Sequence, residues 1–193
     1  MTDHKMMAPE WLVASMLIVM LLFVAISCDF NNHSDHSKAI FTNAVSYNEF
    51  IITRQKELME DLDMYNLASE HDYPLALKML DTLSVHATQN LEDITILAPF
   101  NEDSAFRETA IDEFNFYDKT FVACSRKLIG IKMRIDSGTA VDADYDNYNA
   151  WLKKMKKQSA PIESRLEEIQ KRFAKKNNMQ LTPSKKEEAT SEK

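Results

Sequence analysis

Few residues in this chain are placed to do chemistry. It holds two cysteines, Cys28 and Cys124, and five histidines. Neither cysteine has a histidine at a spacing that suggests an activated thiolate. His33-Ser-Asp-His36 offers two imidazoles and a carboxylate, enough to touch a metal. That stretch is polar and aperiodic, however, and reads as a solvated linker without fixed geometry. Asp142-Ala-Asp144-Tyr-Asp146 begins like a calcium loop, with oxygens at alternate positions. Asn147 then stands where the sharp turn needs glycine, and Lys153 where a bidentate glutamate should close the site. Acids here suit a helix N-terminus instead. A di-iron bundle would need Glu-x-x-His pairs. Yet His71 follows Glu70 directly, and His86 has Leu83 three residues before it. No serine-hydrolase elbow or zinc-protease motif is present. No catalytic residue, metal or cofactor is therefore assigned, and the chain reads as non-enzymatic. Catalysis from residues distant in sequence stays open, as an envelope enzyme or metal-binding bundle would require.

Cys28 has a different kind of chemistry. It closes the run Trp11–Ser27, 17 residues without a charge. At about 1.5 Å per residue that run spans roughly 26 Å, the short limit for a membrane helix. An N-terminal apolar run ending in small residues reads first as a secretory signal. Its end, Val24-Ala25-Ile26-Ser27-Cys28, resembles the lipobox of bacterial lipoproteins. Ser27 and Cys28 fit that pattern well. Ala25 stands where the family prefers leucine, Ile26 where it prefers a small residue, and the segment before Trp11 is not clearly basic. The resemblance implies that the Cys28 thiol carries diacylglycerol, that cleavage falls before Cys28, and that the new amino group is acylated, commonly with palmitate. It covers residues 1–28 only and implies nothing about the rest. Two readings stand beside it: an uncleaved membrane anchor, and a secreted protein in which Cys28 is incidental. With Cys28 lipidated, Cys124 would be alone, so no internal disulfide is expected, and Cys124 falls on an apolar stripe as a buried, inert thiol.

Only Gly130 and Gly138 occur in 193 residues, where average usage would give about 13 glycines. Glycine-rich phosphate loops and turn-rich sheets are thereby nearly excluded. Hydrophobic residues make up 45% and charged residues 27%, a globular balance rather than a disordered one. The fold class expected is all-α, an antiparallel four-helix bundle. Polar residues 28–38 form a tether and 39–178 the bundle, with 179–193 a disordered polar tail.

Helical spacing predicts helices over about 39–69, 74–98, 104–136 and 140–177. The first stripe is Ile40, Ala44, Tyr47, Ile51, Leu58, Leu62 and Tyr65, with Gln55 filling one slot. The second is Ala76, Leu80, Leu83, Ala87, Leu91, Ile94 and Ala98. The third is Phe106, Ala110, Phe114, Tyr117, Phe121, Cys124, Leu128, Ile131 and Ile135. The fourth runs from Val141 through Tyr145, Tyr148, Leu152, Met155, Ser159, Ile162, Leu166 and Ile169 to Phe173. Pro74 suits a first helical turn and Pro99 a stop. Gly138 suits a left-handed cap, and Thr139 with Asp142 a capping box. Pro161 is expected to kink or break the fourth helix near 158–161.

Charge is uneven along the chain. Residues 29–140 carry 10 Lys+Arg against 19 Asp+Glu, and residues 141–193 carry 12 against 9. The basic excess concentrates in Lys153, Lys154, Lys156 and Lys157, and in Lys171, Arg172, Lys175 and Lys176. Such residues either neutralise acidic neighbours or form a docking face for anionic lipid or an acidic partner. Nucleic acid is not an expected partner, since the net charge is −7 and no recognition motif is present. The reading is a lipid-anchored envelope lipoprotein, periplasmic or surface-exposed, with a binding or scaffolding role. The bilayer, an unidentified envelope protein or ligand, and a second copy of the chain are its expected partners.

Overall fold

A computed structural model describes residues 41–180, and these form an all-α bundle. Helix α1 spans Ala44–His71 and α2 spans Tyr73–Thr95. Helix α3 is one rod in three stretches: α-helical Ala105–Asn115, a π turn over Phe116–Phe121, and α-helical Val122–Asp136. Helix α4 spans Asp142–Lys176. Helix α2 packs between α1 and α3, and α3 packs between α2 and α4.

The connections show how the chain turns without glycine. Asp72 alone joins α1 to α2: its backbone N–H donates to the Ala68 carbonyl at 2.8 Å, and its Oδ1 accepts from Leu75 N–H at 2.9 Å. Pro74 occupies the first turn that follows, where its missing N–H costs nothing. The link from α2 to α3 turns through Asn101 at φ 48° and Glu102 at φ 64°, and Asp103 N–H returns to the Phe100 carbonyl. Helix α2 stops at Thr95 rather than 98, so Leu97 enters the core and Ala98 is exposed. Only at the third turn is a glycine used. Gly138 takes φ 70°, its N–H donates to the Ile135 carbonyl, and Thr139 N–H donates to the Arg134 carbonyl. That pair of bonds is a Schellman cap.

The helix stripes meet in one core. Ile51, Leu58, Leu62, Leu80, Leu83 and Phe114 are fully buried, each stabilising the fold by about 1.5–3 kcal/mol relative to exposure. At one end the aromatic rings join the first and last helices. Tyr47 stacks on Phe173 at 5.7 Å between centroids, and Phe106 lies 5.2 Å from Phe173. Cys124 is buried and reduced, and burial pushes its thiol pKa up.

Three expectations need correction. Of the kink or break expected near 158–161, the break is absent: helix α4 continues through Pro161, which is exposed. Its cap is Val141 rather than Thr139, and the carboxylate that closes it belongs to Asp144, which accepts from Val141 N–H at 3.1 Å. The start of the fourth stripe is displaced accordingly: Val141 is 61% exposed while Asp144 is buried. Third, α3 is not uniformly α-helical. A π turn carries an extra residue, and beyond it Val122, Ser125 and Ile129 join Cys124 and Leu128 in the core.

Candidate functional site

The residues with the clearest sequence signal, Ala25, Ile26, Ser27 and Cys28, lie outside the described residues, as do His33 and His36. The described bundle contains two other groups of interest, a basic stretch on α4 and a buried acid on α3.

All eight basic candidates on α4 are exposed. The structure separates them into two groups with different surroundings. Two of the C-terminal quartet are ion-paired, Lys176 to the link before α3 and Lys171 within its own helix. Lys176 Nζ donates to Asp103 Oδ2 at 3.0 Å, and Lys171 Nζ donates to Glu167 Oε1 at 2.6 Å. The Lys176 hydrogen bond, with the charges of Lys176 and Arg172, holds the Asp103 carboxyl below its ordinary range. Six residues before Lys171, Arg165 Nη1 donates to Asp112 Oδ2 at 2.9 Å. This end of α4 neutralises its neighbours.

In the middle quartet, Lys153, Lys154 and Lys157 make no ion pair with a described acid. From Asn147 to Ile162 the helix carries Lys153, Lys154, Lys156 and Lys157 and no acid. Met155 between them is buried, so the helix turns all four lysines outward around it. Half-buried Trp151 packs on the core one turn earlier. Lys127, from α3, places Nζ 3.9 Å from the Trp151 ring centroid, and Lys154 places its own at 5.0 Å. Among the described residues no carboxylate lies within ion-pair distance of Lys127, Lys153, Lys154 or Lys157. Two ammonium groups thus lie over the Trp151 ring.

The second group lies inside the bundle. Gln55 on α1 donates from Nε2 to Glu113 Oε2 at 2.6 Å. Glu113 is buried at the last turn before the π stretch, and burial pushes its pKa up to about 7, against the Gln55 hydrogen bond. Half-buried Glu163 on α4 raises it further, and burial also raises the pKa of Glu163 itself. Tyr117, one turn on, is held far above its ordinary range by burial and by these two acids. Below neutral pH the Glu113 carboxyl keeps its proton. Spacing alone does not single out Glu113. Yet it stands seven residues after Phe106 and three after Ala110, on the stripe, just as Gln55 stands in an apolar slot of α1. Two polar residues on core positions of different helices are the signal that they pair.

The remaining candidates resolve into structural roles. Arg134 grips Asp144 through Nε and Nη2, with Nη2 to Oδ1 at 2.5 Å, and this holds the Asp144 carboxyl low. The middle oxygen donor of the calcium-like run is therefore committed to an arginine and to its own helix cap. His86 Nδ1 lies 2.7 Å from Asp61 Oδ2 at the α1–α2 surface, and His71 is exposed. Among the described residues no group of three or more His, Cys, Asp or Glu is arranged to hold a metal ion. None of the described helices is long and apolar enough to cross a membrane. No family model matches the chain, and no curated protein or solved structure is significantly similar to it.

Proposed function

We propose that the chain is an envelope lipoprotein in which Cys28 carries the lipid and the bundle is displayed at the membrane surface for binding or scaffolding, without catalysis. The observation that carries this reading is the Trp11–Ser27 apolar run ending in the lipobox-like Ser27-Cys28. Two further features support it. The first helix begins at Ala44, 16 residues after Cys28, so the two are closely coupled in sequence. The helix stripes bury one another, which leaves the exposed lysines of α4 as the most distinctive outward-facing feature. Two or three acyl chains would anchor such a domain stably, at about 0.8 kcal/mol per buried CH₂. Metabolic labelling with a fatty-acid analogue tests the reading: label should enter the wild-type chain and be lost in Cys28→Ala. Label retained in Cys28→Ala would contradict it.

A second reading, an envelope enzyme built in the bundle, is favoured by one observation. Glu113 and Glu163 face a shared interior with Tyr117, and an acid titrating near neutrality suits proton transfer. It is tested by whether any turnover of an envelope extract by the purified chain disappears in Glu113→Gln.

A further inference from the structure

We propose that the side of the bundle where α1 faces α4 is a proton-gated seam, closed while Glu113 carries its proton and parted when Glu113 is charged. Nothing in this device depends on the lipid on Cys28.

Three observations carry it. The first is the packing. Of the described helices only α2 runs closely along α1, and α4 runs closely along α3. From α1 to the α3–α4 pair the side chains reach at separate points. Tyr47 stacks on Phe173 at one end. Toward the other, Tyr65 meets Phe121 at 5.6 Å between centroids and Lys132 donates to the Ser69 carbonyl. Between them stands the Gln55 bond to Glu113. The α1–α4 side is therefore the edge at which the ring of helices is least closed.

The second is the polarity of what that edge buries. Gln55, Glu113 and half-buried Glu163 bring one polar group each from α1, α3 and α4 into the interior. Asn48 stands next to Tyr47 and Gln170 one turn before Phe173, and both are buried. Yet Tyr47 Oη, Asn48 Oδ1 and Gln170 Nε2 find no hydrogen-bond partner among the described residues. A buried polar atom without a partner favours any opening that lets water reach it.

The third is the charge that forms there. Burial pushes the Glu113 pKa up to about 7, and the charge of Glu163 adds to the rise. Proton loss thus places a carboxylate in the interior beside a second acid. Of the cations near this cluster in sequence, Arg54 is held by Asp93 of α2 and Arg165 by Asp112 of α3. Lys56 on α1 and Lys156 on α4 are exposed. On α2, His86 lies on Asp61 of α1. Tyr117, one turn beyond Glu113, stays a neutral phenol, held up by burial and by the same two acids. Water reaches the new charge with least disruption where α1 and α4 part. The open form ionises near the ordinary 4.5 and the closed form near 7, so opening grows between those values and is level above.

The test is thiol labelling of the full-length chain carrying Asn48→Cys or Gln170→Cys, read by mass spectrometry. Native Cys124 on α3 and Leu83→Cys on α2 serve as buried controls. Each rate is divided by that of a free thiol peptide at the same pH. Between about pH 5 and about pH 8 the corrected rates at positions 48 and 170 should rise at least about ten-fold, while both controls stay level. Adding Glu113→Gln should remove the rise, and Glu163→Gln should leave most of it. Infrared spectra of the unsubstituted chain give a readout that needs no variant to fold. A protonated-carboxyl band present near pH 6 should vanish by about pH 8. An equal rise at the controls would overturn the proposal, since the whole bundle would then be loosening. A rise that survives Glu113→Gln, or the lack of a protonated-carboxyl band near pH 6, would overturn it as well.

Discussion

Gln55 and Glu113 meet across the interior of the bundle at 2.6 Å, an amide on α1 donating to a carboxyl on α3. Both groups are buried, so the bond specifies how the two helices align, and the carboxyl resists ionisation. Its pKa of about 7 lies above its ordinary 4.5, so the folded state prefers the neutral acid. Between those values the unfolded chain ionises and the folded chain does not. Stability from this group therefore falls as pH rises from about 4.5 to about 7, and is flat above.

A pH series with Glu113→Gln follows from this. Near pH 4 the variant and the wild type should unfold at similar denaturant midpoints. At pH 8 the variant should be more stable by up to about 3 kcal/mol, because its amide keeps the Gln55 bond without a proton to lose. Urea midpoints at the two pH values check this, and an equal difference at both would show that burial of the charge is not what separates them.

The two glycines should respond oppositely to alanine. A methyl at Gly130 would meet nothing closer than the Arg134 Nη1 at 3.9 Å, so Gly130→Ala should stabilise by up to about 1 kcal/mol through helix propensity. Gly138 has open space around it but φ 70°, so Gly138→Ala should destabilise by about 1 kcal/mol through backbone strain. Thermal melts of the two variants give the signs directly.

Cavity formation in the core should cost far more. Leu80 is fully buried on α2, the helix packed between α1 and α3. Leu80→Ala should lower stability by about 2–5 kcal/mol. Equilibrium unfolding that shows less than about 1 kcal/mol would mean that the interior at Leu80 collapses around the missing atoms or is not closely packed.

Cys124 should behave as an inert thiol. It is buried, and burial raises its pKa. In a Cys28→Ala chain, a thiol reagent should react with Cys124 only at the rate at which the bundle opens, and promptly in denaturant. Prompt reaction of the native chain would contradict its burial on α3.

Much of this architecture is legible in residue spacing, for reasons that differ along the chain. The α1 stripe reads directly because Tyr47, Ile51, Gln55, Leu58, Leu62 and Tyr65 all face inward on a regular helix. Gly138 reads because a left-handed cap needs it. The π turn over Phe116–Phe121 does not read, since its apolar residues satisfy an α period about as well. The start of α4 misleads because the Arg134 grip on Asp144 outweighs the pull of Val141 and Tyr145 toward the core. The division of the basic residues depends on which acids the fold brings near. Asp103, 73 residues from Lys176, is beyond any local pattern.

The most direct measurement on the central claim is the mass of the mature N-terminus, taken on chain extracted from membranes. A chain anchored through Cys28 yields an N-terminal peptide that begins at Cys28 and carries diacylglycerol on sulfur, with or without a further acyl group on the amine. A peptide beginning at Met1, with Cys28 present as an unmodified thiol, would contradict it.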